Sequence, residues 1–294
     1  MTAINRPLPR STATRWSKHR FSKKLSKVLI FLGAAIGLVV MLWPLVWTIL
    51  TSLKQPQEVH RIPMTWLPDN WFYFENYRTL FTEYPILRWL FNSLIVTLIS
   101  LASTLFFCSL AGYAFAKLRF WGKELLFMSV IALLMMPPEI TLVPLYLMFN
   151  WAGLVNTYAG IIGSNWLSVI GVFIMRQFME TIPNDYIDAA RIDGASEFQI
   201  FRKVALPLTI PGFVTLAVLK TILAWNDFLW PLVMATKADM MTMTVGMQVF
   251  NTSFYVEYTL ITAGALVSML PLIVMFLLLQ RWVMQSMVMA GLKG

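Results

Sequence analysis

The chain has 294 residues, of which 58% are hydrophobic and only 13% charged, about half the charged share of an ordinary soluble domain. That balance excludes a water-solvated globule, and the net charge of +9 does not point to nucleic acid, because no polar domain interleaves aromatics with Lys and Arg. One cysteine, Cys108, and two histidines, His19 and His60, give no basis for a disulfide or a metal cluster.

Eight basic residues and no acid precede Val28: Arg6, Arg10, Arg15, Lys18, Arg20, Lys23, Lys24 and Lys27. They predict a cytoplasmic arm over residues 1–27. Val28 to Leu50 is uncharged and long enough to cross a bilayer, and no small-x-small cleavage site follows it, so it reads as a retained first span. Residues 51–88, with Pro56, Pro63, Pro68 and several aromatics, suit an outer interfacial element, with packing against a partner as a further role. Further spans are predicted at Trp89 to Ala116, Leu125 to Phe149, Thr157 to Met175, Leu208 to Val233 and Thr259 to Gln280, with a tail over 281–294. In this arrangement the inner segments hold 17 Lys or Arg and the outer ones five, which places both termini in the cytoplasm. Pro137-Pro138 can bend or break the third span, with a re-entrant segment as the alternative to a turn at Asn150 to Gly153. Trp47, Trp89, Trp121, Trp151 and Trp282 fall near span ends and suit interface anchors. Gly33 with Gly37, Cys108 with Gly112, and Gly264 with Ser268 suit close helix packing within the subunit or with a neighbour.

Between the fourth and fifth spans lies a polar island, Arg176 to Pro211. Pro183 suits the first turn of a short helix that Asp193-Gly194 ends, and Ser196 with Gln199 forms a capping-box pattern for a second helix ending before Pro207. Tyr186, Ala189, Ala190 and Asp193 share one face, and Phe198, Phe201 and Ala205 form an apolar ridge. A protein docking surface is expected, since the acids disfavour an anionic lipid surface.

Asp188-Ala189-Ala190, Asp193-Gly194-Ala195, Phe201, Leu206-Pro207 and Pro211 resemble the EAA loop of binding-protein-dependent ABC transporter permeases, especially carbohydrate importers of the maltose-permease type. Asp188 stands where that family commonly has Glu. The resemblance extends to Thr51 to Lys54, Phe91 to Ser93, Tyr113 to Ala116, Pro144 to Tyr146, Trp225 to Phe228, Gln280-Arg281 and Lys293-Gly294. It implies an all-α polytopic protein of the bacterial inner membrane, with six transmembrane helices in the type I importer fold: a first helix over 28–50 and a five-helix core over 89–280 containing a coupling loop at 176–207. Tyr186, Asp188, Ala189, Ala190, Asp193, Gly194, Ala195, Phe198, Phe201 and Pro207 are the implied ATPase-coupling residues. The implied partners are a second permease subunit, two cytosolic ATP-binding subunits and an extracytoplasmic solute-binding protein. This chain has no Gly-x-x-x-x-Gly-Lys-Ser/Thr phosphate loop, so no cofactor is expected on it, and ATP and Mg are expected on the ATPase subunits.

Lys220, deep in the fifth span, needs a partner or a cavity, and Asp227 lies two turns away. Lys220 suits either a structural contact or guidance of an acidic saccharide, as in alginate-type oligosaccharide permeases. Thr221 and Leu223 depart from the aromatic and glycine that the resemblance leads one to expect. Glu139, Trp225, Asn226 and Asp227 complete the candidate pathway, with Asn226 suited to sugar hydroxyls. The competing readings are an ion-coupled secondary transporter using Lys220, Glu139 and Asp227, a polyol or glycerol phosphate importer, and a membrane enzyme, for which no catalytic constellation is present.

Overall fold

The computed structural model of the chain describes residues 13–251 and 256–291, with backbone alone at 13–26, 279 and 281–291. The expectations placed on Arg6, Arg10, Lys293 and Gly294 fall outside these residues. Helix α1 (Ala13–Ser52) joins much of the basic arm to the first span without a break, and α15 (Tyr258–Gly291) carries the last span into the tail. The boundaries expected at 27 and 280 are therefore not helix ends.

Three helical segments among the described residues are continuous and apolar enough to cross a membrane: Lys27–Ser52, Ile86–Lys117 and Tyr258–Leu278. Beyond α1, the short α2 (Pro56–Val59) and α3 (Glu75–Glu83) order the first outer segment. The Asn76 amide of α3 donates to the carbonyls of Ser52 and Lys54, satisfying the end of α1. Helix α4 (Ile86–Lys117) is the central post. Its Asn92, Thr97, Ser100 and Thr104 are fully buried, and its neighbours in the bundle include α8 and α12, defined below. Trp89 of α4 is buried, with its indole donating to Ala238 O, so it belongs to the core instead of anchoring the interface.

The remaining spans are broken. Helices α5 (Lys123–Ala132) and α6 (Pro138–Trp151) meet at 101°. Met136 and Pro137, each followed by a proline, are driven to extended backbone, which ends α5's run before α6 begins. The connection to the fourth span lies at Gly153, as the sequence suggests. Helices α7 (Tyr158–Ile162) and α8 (Val169–Glu180) form a pair bent by 50°, and α8 runs beyond Met175. Ser168 caps α8 by accepting from the Gly171 N–H.

The island folds as α9 (Asn184–Ile192), the elbow at Gly194, and α10 (Glu197–Ile200) with the Ser196–Gln199 capping box in place. The second helix does not stop before Pro207. A π-helical turn over Phe201–Ala205 leads into α11 (Leu206–Leu208), accommodating a proline that lacks an N–H and would crowd the carbonyl four residues back. An 80° bend at Thr209 opens α12 (Ile210–Trp225). The fifth span is not helical through to Val233: α12 ends at Trp225, and α13 (Leu229–Met234) and α14 (Met243–Gly246) follow as short pieces.

Small residues settle differently from one another. Gly33 and Gly37 have nothing within 4 Å of an added Cβ, so they make no close packing inside this subunit. At Gly112 an added Cβ would lie 2.6 Å from Met175 Cβ and 2.8 Å from Arg176 N, which is what lets α4 and α8 touch. Gly112→Val is expected to pry this pair apart and destabilise the protein by about 1–3 kcal/mol. A lowered thermal unfolding temperature in detergent would show it, and an unchanged one would contradict the packing account.

Candidate functional site

Two sites emerge, one at the breaks in the spans and one on the island. In the hydrocarbon region an interrupted helix leaves backbone groups that only protein or a wet cavity can satisfy. The breaks at 136–137, 163–168 and 226–228 border a single cleft of about 560 Å³. Glu139, in the first turn of α6, lines it together with Ser164, Asn165, Asn226 and Asp227.

Asn165 was not singled out by sequence, yet it connects the two charges. Lys220 Nζ donates to Asn165 Oδ1 at 3.1 Å, and Asn165 Nδ2 donates to Asp227 Oδ2 at 2.7 Å. One amide thus offers its acceptor to the ammonium and its donor to the carboxylate. Lys220 is only 5% exposed and does not line the cleft, whereas Asp227 does. The ammonium sits behind Asn165 and not on the cleft wall. Asn226 caps α12, its amide nitrogen donating to Ile222 O at 2.8 Å. Trp225 is 3% exposed and is not on the cleft wall; its ring packs in the core. Leu223 is on the wall, and the neighbouring Thr221 is buried. Trp230 borders the cleft but is tied down by an indole bond to Gly160 O and edge contact with Phe149.

On the island, Tyr186, Ala189, Asp193, Gly194 and Phe198 are exposed, and so are Asp188 and Pro207. Ile192, 87% exposed and not anticipated, extends the apolar part of this face. Ala190 and Ala195 are half-buried. Phe201 and Ala205 are buried, Phe201 with its ring 5.6 Å from that of Tyr113, so the ridge expected to meet a partner instead points into this subunit except at Phe198. Gly194 has φ of +80°, the left-handed region, and an added Cβ there meets open space.

Glu197 fastens this surface to the membrane post. Its Oε1 accepts from Arg191 Nε at 2.7 Å and its Oε2 from the Tyr113 hydroxyl at 2.7 Å, while Arg191 also pairs with Asp188 at 2.9 Å. Lys117 Nζ adds bonds to Ile182 O and Asn184 Oδ1. No helical periodicity links positions 113 and 197, so this tie is not legible from spacing. The Arg191 and Tyr113 hydrogen bonds hold the Glu197 carboxyl below its ordinary value of 4.5.

The family described as "binding-protein-dependent transport system inner membrane component" matches residues 108–288. The arabinooligosaccharides transport system permease protein AraQ of Halalkalibacterium halodurans is 33% identical over 268 residues, covering 90% of this chain and 96% of that protein. The sulfoquinovosyl glycerol transport system permease protein SmoH of Agrobacterium fabrum is 33% identical, with 91% and 94% covered. A crystal structure of a bacterial ABC transporter involved in the import of the acidic polysaccharide alginate contains a chain of the same fold, with TM-score 0.76, 21% identity and coverage of 88% and 97%.

Two outcomes are expected from these ties. Asn165→Leu leaves a buried cation and a carboxylate without their bridge and lowers stability by roughly 3 kcal/mol; adding Lys220→Met recovers part of the loss in thermal unfolding. A carboxyl with a depressed value contributes stability that is complete above its unfolded value and is lost as pH falls through its folded one. Island protection measured by hydrogen exchange over 184–200 should hold from neutral pH to about 4.5 and weaken below it, and Glu197→Gln should remove that acid limb.

Proposed function

This chain belongs to the family of binding-protein-dependent transport system inner membrane components, and on that footing we propose that it is the permease that admits an oligosaccharide in an ATP-driven importer. It is a multi-pass, non-catalytic permease subunit of the carbohydrate-uptake type, with the six-crossing type I importer fold. In our reading a second permease subunit completes the pathway, two cytosolic subunits bind ATP and Mg, and an extracytoplasmic protein delivers the solute. The basic arm keeps the N-terminus in the cytoplasm, and the tail lies on the same side.

The observation that carries the mechanism is the exposed Tyr186, Ala189, Gly194 and Phe198 face tied through Glu197 to Tyr113 of α4. An ATPase surface pressing on this face would move α9 and α10, and the Glu197 and Phe201 contacts would pass the displacement to α4. The 80° bend at Thr209 joins the same segment covalently to α12, whose far end borders the cleft. Closure of the ATPase pair would thereby alter the walls that hold Asn165 and Asp227, switching the pathway between inward-facing and outward-facing states.

The cleft supports a hydroxyl-rich oligosaccharide more than an acidic one. Its polar groups include the Glu139 and Asp227 carboxylates, and the Lys220 ammonium that would attract uronates is held behind Asn165. Coupling to an ion gradient through Lys220, Glu139 and Asp227 has no support from the family.

The test is reconstitution of the four-component assembly and measurement of ATP-dependent uptake across neutral and acidic oligosaccharides, a polyol and glycerol phosphate. Accumulation driven by an ion gradient without ATP would refute the reading. Gly194→Trp should insert normally yet lower uptake roughly tenfold, equivalent to about 1.4 kcal/mol of lost docking free energy. Gly194→Asn, which tolerates the left-handed backbone, should lose much less. Equal uptake by the Trp variant would reject the docking role of this face.

A further inference from the structure

The first outer segment carries a constraint that transport does not explain. The chain leaves α1 at Ser52, but Trp66 packs back against that helix, with ring centroids 5.6 Å from Trp47 and 5.8 Å from Trp43. Trp47 and Trp43 lie five and nine residues before the helix end, about 7 and 13 Å along its axis. The segment therefore folds back alongside the span instead of extending away from it.

The fold-back is closed by polar ties. Lys54 Nζ donates to Thr65 O and lies 4.8 Å from the centre of the Trp47 ring. The nearly buried Glu58 carboxylate accepts from the backbone N–H groups of Gln55 and Asp69, and Arg61 pairs with Asp69 at 2.9 Å. Such a closed loop is held by its own side chains. It presents Ile62, Met64, Trp66 and Leu67 outward, with Ile62 95% exposed.

We infer that the loop spanning residues 55–69 is a membrane-surface anchor whose Ile62, Met64, Trp66 and Leu67 enter the interfacial layer of the outer leaflet beside α1. The occupant is phospholipid, because the apolar patch continues directly through Trp66 onto the exposed flank of a transmembrane helix at Trp43. An aromatic and aliphatic patch at that depth matches the boundary between headgroups and acyl chains. The ion pair of Arg61 and Asp69 marks the wet neck of the loop. Depth of insertion is set by the Trp66 contacts, so the loop fixes how far α1 can slide or tilt.

The experiment places an environment-sensitive NBD label at Met64→Cys in a Cys108→Ser background, in the complete transporter reconstituted in phosphatidylethanolamine and phosphatidylglycerol vesicles. A reference label at Arg78→Cys reports an exposed position on α3. The Met64 label should emit to the blue of the Arg78 label and be quenched several-fold more by headgroup-region spin-labelled lipid than by aqueous iodide. Equal iodide quenching at both positions overturns the proposal. Shielding that appears only when the solute-binding protein is added also overturns it, assigning the patch to that protein. As a second measurement in the same vesicles, Trp66→Phe should reduce tryptophan quenching by shallow brominated lipid; an unchanged signal counts against the anchor.

Discussion

A bilayer offers no hydrogen bonds to an interrupted helix, and that constraint organises this protein. The chain sets three of its breaks beside one another, at Pro137, at Asn165 to Ser168, and at Asn226 to Phe228, while the bend at Thr209 lies apart from them. Asn165 illustrates the result. It sits at one break, accepts a hydrogen bond from Lys220 on an intact helix, and donates one to Asp227 at the next break. Irregular backbone and the polar side chains of Glu139, Asn165 and Asp227 thus share one cleft.

The polar island follows a different logic. Its stability comes from contacts with α4 and α8, not from helix length, since α9 and α10 are too short to persist alone. Ile187, Ile200, Phe201 and Ala205 turn inward to join Tyr113 and Met179, while Tyr186, Ile192 and Phe198 remain outside. The same short helices therefore plug this subunit with one face and leave the other exposed.

Local features were legible in the sequence and distant ones were not. The capping box at Ser196, the elbow at Gly194 and the Pro137-Pro138 break depend on neighbours within a few residues. The resemblance of the island likewise led to the correct family. Bridges between positions 165 and 220, or 113 and 197, depend on helix crossings that periodicity does not encode. Trp225 and Phe201 were misplaced for that reason: an aromatic on an apolar helix carries no mark of whether its face meets a cleft or a core. Hydropathy also ran α12 and α13 together, because the apolar residues on either side outweigh Asn226 and Asp227 even though the backbone turns at Asn226.

The π-helical turn at Phe201–Ala205 has a bearing on how such a chain can change over generations. A π turn is one residue of surplus inside an α-helix, worth about 100° of rotation. It sets the angular phase of the island separately from that of α12, so each can present its own inward face. The island is then a cassette joined to the span by an adjustable coupling. Its exposed face can change in sequence while the residues around Lys220 stay in place.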